Sequence, residues 1–317
     1  MKFAPRIIAS AVLMAAGCAQ AASVTATNGG APVTLGGQPV SLTAGSGTLA
    51  FSDGGNYDPA DPAASLGGAL AALSVANIKI SDGSIGIPPM PATTVTTEYN
   101  SDFLVSASAT STIGSVRIDN STGNLEALNT QGGIRLTGTR LNGVLTGGTA
   151  LMSNLRYDLT QKAVVADLSG TKNAFGTNAA VNFNLPGTTL WNIGTVTGPT
   201  QIPTEFLKSP NLIPSMMAAG FTYEGPLSGP QHFAGTVVLS DLTLTTAGLN
   251  FLRNSLGLLN VMGNALSAVN AEPGGWGTMT ATVEFAVGVP EPSTYAMGAL
   301  GLALVGLSAR RRQRHAS

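Results

Sequence analysis

Between residues 23 and 288 the chain holds one histidine, His232, in Gly229-Pro230-Gln231-His232-Phe233, which reads as a loop leading into a strand. Histidine is the usual general base near neutral pH and a common neutral metal ligand. With no cysteine in the same stretch it builds neither a structural zinc site nor a Cys–His pair, so His232 reads as structural. Glu98, Asp102, Glu205 and Glu224 would serve glycoside hydrolysis only as a pair facing each other across about 5–9.5 Å. Nothing in their spacing joins them. Asp53, Asn56, Asp58 and Asp61 gather oxygen ligands within one short run. An EF-hand needs ligands at positions 1, 3 and 5, a glycine at 6 and an acid at 12. That pattern is not met, so the run reads as a turn, with a loose Ca²⁺ site at Asp53, Asp58 and Asp61 as the alternative. The Gly-x-Ser-x-Gly elbow of hydrolases and the phosphate-cradling Gly-x4-Gly-Lys-Ser/Thr loop are both missing. Trp191 and Trp276 are the two tryptophans of a chain with 5% aromatic residues, so stacking surfaces are scarce. No catalytic residue and no cofactor is expected.

Composition indicates what must position these residues. Of 317 residues, 44% are hydrophobic, enough for a packed core. Charged residues make up 10%, and 40 glycines and 18 prolines punctuate the chain, which argues against a helical bundle or coiled coil. It also argues against a nucleic-acid binder, which needs a basic stripe to displace counterions. Setting aside Lys2, Arg6, the four C-terminal arginines and Glu291 leaves nine basic and fifteen acidic residues, a net charge of about −6 between residues 23 and 288. Such a body is repelled by anionic lipid and DNA.

Alternation of apolar and polar residues with period two predicts strands at 46–51, 75–80, 151–159, 235–244 and 278–287. Residues 117–126 read as strand, turn and strand around Asp119-Asn120-Ser121-Thr122-Gly123, and 151–168 as a second hairpin around Thr160-Gln161-Lys162. Two stretches read as helices. Residues 62–73 follow Asp61 as N-cap with Pro62 at the first helical position. Residues 246–269 carry Leu249, Leu252, Leu256, Leu259 and Leu266 on one face, weakened by Gly257 and Gly263, which would split the helix in two. That apolar face is expected to dock on a sheet. Proline-rich interruptions at 88–91 and 199–214 suit exposed loops or edge crossings, and a weak subdivision near residue 205 is an option. The expectation is a mostly β, antiparallel, sandwich-like domain with one or two docked helices.

The two ends read as addresses. Lys2 and Arg6, an apolar run at 7–16 and the small residues Ala19, Ala21 and Ala22 lay out a secretory signal peptide over residues 1–22. The run is too short to span a bilayer. Ala15-Ala16-Gly17-Cys18 resembles a bacterial lipobox, with Ala15 where that pattern prefers Leu, Val or Ile. Unless Cys18 is lipidated, the mature chain has no cysteine. At the other end, Pro290-Glu291-Pro292 precedes an apolar run at 296–309 and the cluster Arg310, Arg311, Arg312 and Arg314. Two prolines keep the approach extended, the apolar run partitions into lipid, and the arginines remain on the cytoplasmic side as a stop-transfer cluster.

Residues 289–317 resemble a PEP-CTERM sorting signal: motif, hydrophobic helix and Arg-rich tail, in that order. The resemblance implies that Pro290, Glu291 and Pro292 are recognised by an exosortase, a membrane-embedded processing enzyme of Gram-negative bacteria that make exopolysaccharide. It further implies export through the Sec machinery, transient insertion through 296–309, and delivery to the cell surface or extracellular matrix. The expected role of residues 23–288 is structural or adhesive in an exopolysaccharide matrix. A carbohydrate- or ligand-binding module is the first alternative and a secreted hydrolase the second.

Overall fold

The computed structural model describes residues 22–83, 93–141, 145–225 and 229–288. Residues 1–21 of the predicted signal peptide, Cys18 among them, the Pro88-Pro89-Met90-Pro91 run, and the predicted sorting motif, apolar run and arginines lie outside the described residues. About 54% of the described residues are strand and 17% helix, and every strand pair is antiparallel.

The first eight strands are β1 (Ser23–Thr27), β2 (Val33–Leu35), β3 (Gln38–Phe51), β4 (Ile78–Asp82), β5 (Thr94–Asn100), β6 (Phe103–Asp119), β7 (Leu125–Thr130) and β8 (Gly133–Gly138). The second eight are β9 (Gly148–Asp158), β10 (Ala163–Lys172), β11 (Val181–Asn192), β12 (Thr195–Thr197), β13 (Thr222–Gly225), β14 (Gln231–Ser240), β15 (Thr243–Leu244) and β16 (Gly277–Val287). They join in the order β12-β14-β16-β3-β6-β7-β9-β10-β11-β15, with β1 and β5 on β6, β13 on β14, β2 on β3, and β4 on β8, which pairs β9.

Strand β6 links two sheet sections. Its first half pairs with β5 and β3, and its second half with β7 and β1. The register shifts between Ile113 and Ser115, so Gly114 marks a bulge where the strand passes from one section to the other. Strand β16 lies between β14 and β3. Its burial alternates strictly, with Met279, Ala281, Val283, Phe285 and Val287 inside. On its other face, threonines meet threonines across strands: Thr236 and Thr282 lie 3.0 Å apart, and on the neighbouring pair Thr48 and Thr110 lie 2.9 Å apart.

Both predicted hairpins are present, as β6–β7 and β9–β10. Each predicted helical stretch is divided. Residues 62–73 become α1 (Pro62–Ser65) and α2 (Gly68–Val75), and Asp61 Oδ1 accepts from Ala64 N–H at 3.3 Å as the cap of α1. A further helix, α3 (Leu212–Ala218), precedes α4 (Thr246–Ser255) and α5 (Asn260–Ala268). Gly257 makes the α4–α5 break with φ +63°, while Leu258 N–H reaches back to Arg253 C=O at 3.1 Å, which is a Schellman ending. Gly263 stays within α5. Thr245 caps α4, accepting from Gly248 N–H at 3.0 Å. Leu252, Leu256 and Leu266 are fully buried, but Leu259 turns outward where α5 begins.

Several expectations are corrected. Residues 75–80 are not one strand: Val75 closes α2, and Asn77, at φ +49°, turns the chain into β4. The stretch 199–214 is not an exposed loop throughout, because Ile202, Leu207 and Leu212 enter the core. His232 lies within β14, opposite Ala286, and not in a loop. Among the described residues the helices number five, short but more than the one or two expected, because glycines and prolines interrupt helical runs that apolar spacing alone would extend.

Helix α4 approaches the sheet where the strands have no side chains. A Cβ on Gly148 would lie 2.0 Å from Ser255 C=O, one on Gly138 2.7 Å from Leu256 C=O, and one on Gly170 2.7 Å from Ser255 Cβ. Gly148→Ala should therefore push α4 off β9 and lower stability by about 1–3 kcal/mol, as overpacking of a tight contact does. Urea unfolding followed by tryptophan fluorescence checks this, and an unchanged midpoint would contradict the close approach.

Candidate functional site

Three open clefts of similar size mark the described surface, the third of them along Lys172, Asn173, Phe175 and Val181 at the approach to β11. The first, of about 540 Å³, is lined by Phe51, Ser52, Asp53, Ser106, Ser108 and Thr278. Its polar groups hold the fold itself. Ser52 Oγ donates to Gly275 C=O and accepts from Ala69 N–H at 3.2 Å. Asp53 Oδ1 accepts from Gly55 N–H at 2.8 Å. Beside it, Glu272 accepts from Gly68 N–H, so α2 begins on a cap supplied from far along the chain.

The second of the three clefts, like the third of about 530 Å³, lies between the end of α2, the start of β4 and the β5–β6 turn. Asn77, Lys79, Tyr99, Ser101 and Asp102 line it, and all are exposed. Its frame is firmly held. Ser74 Oγ accepts from Leu104 N–H at 3.0 Å, tying α2 to β6, and Asn77 C=O accepts from Thr139 Oγ1 at 3.0 Å. Lys79 sits on β4 opposite Thr137 of β8, and Tyr99 on β5 opposite Leu104. Among the described residues, the side chains of Lys79, Tyr99, Ser101 and Asp102 have no bonding partner. Asp102 is the single carboxylate of the lining, so the arrangement can donate and accept hydrogen bonds but presents no carboxylate pair.

The residues singled out in the sequence are dispersed. Glu98 is on β5, Asp102 in the turn after it, Glu205 on the 3₁₀ turn Thr204–Phe206 and Glu224 on β13. Asp58 and Asp61 spend their carboxylates on backbone N–H groups, as Asp53 does: Asp58 accepts from Ala60 at 2.9 Å and Asp61 from Ala64. No group of three or more His, Cys, Asp or Glu placed to hold a metal occurs among the described residues. Trp191 and Trp276 are each about 1% exposed and pack against each other with ring centroids 6.4 Å apart, so they form core and not a platform. Tyr99, about 51% exposed, is the one exposed aromatic among the described residues. Nothing in its local run, Thr94–Asn100, marks it as different from a strand tyrosine.

Where β1, β6, β7 and β9 meet, charges are arranged structurally. Arg117 Nε lies 2.7 Å from Glu126 Oε2, which also accepts from Ser23 Oγ at 2.7 Å. Asp158 Oδ1 accepts from Thr160 Oγ1 at 2.7 Å and Gln161 N–H at 2.9 Å. Burial is the largest influence on Asp158 and favours its neutral form. The hydrogen bonds from Thr160 and Gln161, with the Arg156 and Arg117 charges, outweigh it and hold the carboxyl below its ordinary range. In the exposed β6–β7 turn, the Ser121 hydroxyl and Thr122 N–H likewise lower Asp119. Burial pushes the Tyr157 phenol well up, against a hydrogen bond with Thr130.

Residues 288–312 match the family described as the PEP-CTERM protein-sorting motif. The chain thus carries a PEP-CTERM sorting motif, the mark of an exported protein sorted by an exosortase. No curated protein matches it. Among solved structures, the heme binding protein HtaB from Corynebacterium glutamicum aligns at 15% identity over 79% of this chain and 96% of that one, with a TM-score of 0.29, too low to indicate a common fold.

The lowered Asp158 sets a sign for pH. Its contribution to stability is present above the unfolded carboxyl value of about 3.9 and is lost as pH falls through the lower folded value. Asp158→Asn should remove about 1–2 kcal/mol at pH 7 and flatten the loss of stability below about pH 4. Urea titrations at a series of pH values check both, and an acid limb identical to that of the unsubstituted protein would contradict this role.

Proposed function

We propose that residues 23–288 form a non-catalytic, structural or adhesive component of an extracellular exopolysaccharide matrix. The Sec machinery exports the chain, and residues 296–309 hold it briefly in the inner membrane. An exosortase acts at Pro290-Glu291-Pro292, releasing the body to the cell surface. The observation that carries this reading is the sorting motif at 288–312, which follows directly on β16. Strand β16 closes at Val287, and Gly288 N–H still donates to Pro39 C=O at 2.8 Å. Among the described residues, the last one tied into the sheet is therefore the first residue of the motif.

The body's surface supports a structural role. From residue 173 to residue 204 the chain carries no charge. In this stretch β11 is paired by β10 along one side, while β15 covers only Trp191 and Asn192 on the other. Most of β11 before Leu190 is exposed, with amide and hydroxyl side chains among Val181 and Leu185. An open, uncharged strand edge offers backbone donors and acceptors for association. In this reading the two sheet sections joined by β6 are the layers of a sandwich-like body.

Cell fractionation with intact-mass measurement tests the proposal. The expected product is a chain lacking the signal peptide and the C-terminal arginines, recovered from the cell surface or matrix fraction. Glu291→Ala should cause a full-length species, cut only at its N-terminal end, to accumulate in the inner membrane. A chain uncut at both ends and found in the cytosol would overturn the reading.

A further inference from the structure

We infer that the cleft between α2, β4 and the β5–β6 turn binds a neutral hexopyranose unit of a polysaccharide. The inference deepens the matrix reading and rests on it only for where the sugar comes from.

A pyranose ring has an apolar C–H face and a rim of hydroxyls, each both a donor and an acceptor. A site for it needs an exposed aromatic surface and fixed polar groups of both kinds. Tyr99 supplies the surface, in a protein whose tryptophans are both buried. Lys79 supplies donors, Asp102 acceptors, and the Ser101 hydroxyl either. Because none of these side chains has a partner among the described residues, a ligand would break no existing bond to reach them. A volume of about 530 Å³ lies within the range of small-molecule sites.

Charge narrows the ligand. Lys79 and Asp102 balance each other within the lining, and the body around them carries about −6. An anionic sugar would meet Asp102 and the surrounding negative field, while a cationic one would meet Lys79, so an uncharged ring is the best match. The frame is set before any ligand arrives. Asn77 is held by Thr139, Ser74 by Leu104, and β4 by β8, so little ordering accompanies binding. The cleft is open and carries one aromatic ring, so binding of a single unit should be weak, with Kd of about 1–10 mM. Many copies along one polysaccharide would multiply this into retention.

The test is a titration of the isotopically labelled mature protein with D-glucose, D-galactose, D-mannose and D-galacturonate, each to about 100 mM, followed by amide NMR. At least one neutral hexose should give saturable shifts at Asn77, Lys79 and residues 99–102, with galacturonate binding more weakly. Tyr99→Ala should weaken that binding at least about tenfold, and Asp102→Asn about threefold or more, with the rest of each spectrum unchanged. Should Tyr99→Ala fail to fold, Asp102→Asn alone decides. The inference fails if no neutral hexose gives saturable shifts, if the shifts lie elsewhere, if neither variant weakens them, or if galacturonate binds best. Such a failure leaves export and processing untouched, since fractionation and intact mass decide those separately.

Discussion

The pairing of β3 with β16 is the constraint on which the architecture depends. Residues 40–51 run antiparallel to 277–287, joining an early part of the body to its last strand. On one side β16 receives β14, and on the other β3 receives β6, which carries the sheet past Gly114 to β7, β9, β10 and β11. Without that seam, β14 with β12 and β13 has no path to the remaining strands. The seam also fixes the loop before it, because Trp276 C=O accepts from Ser52 N–H and Glu272 caps α2.

The helices are set by the same contacts. Helix α4 settles on a patch of glycines across β8, β9 and β10, and its N-terminal cap Thr245 also donates to Thr189 C=O at 2.6 Å. Helix α2 has its N-terminal amides answered by Ser52 and Glu272 from outside its own segment. Such short helices are stable only through contacts of this kind. That is also why the second cleft has a fixed shape, since the end of α2 forms one of its walls.

Much of the strand framework was legible in the sequence, where local period and burial agree. Residues 278–287 alternate so regularly that β16 is evident, and the Asp119–Gly123 and Thr160–Lys162 turns announce their hairpins. Gly257 marked a break in the helix that the structure places there. The failures arise where tertiary contacts override a local pattern. Val75 continues an alternating run but ends a helix, since Asn77 takes up a left-handed conformation. Prolines between 199 and 214 suggested exposure, yet Ile202 and Leu207 are buried, Ile202 bonded to Gly123 ahead of β7 and Leu207 packed beside Gly36 in the β2–β3 turn. The second cleft was least visible. Lys79 comes from β4 and Tyr99 and Asp102 from the end of β5 and the turn after it; each segment is ordinary by itself, and only folding brings the two together. The sorting motif is the opposite case: its meaning lies in the order of its parts along the chain, and it is read without any fold.

The interior position of β16 bears on how the polypeptide matures. Among the described strands ribosomes complete this one last, and it is inserted between two neighbours already made. A chain interrupted before residue 277 would leave β3 and β14 each with an unzipped flank, an adhesive intermediate that chaperones and proteases recognise. Among the described strands, completion of the sheet and appearance of the sorting address are therefore nearly simultaneous, and a prematurely terminated product lacks both.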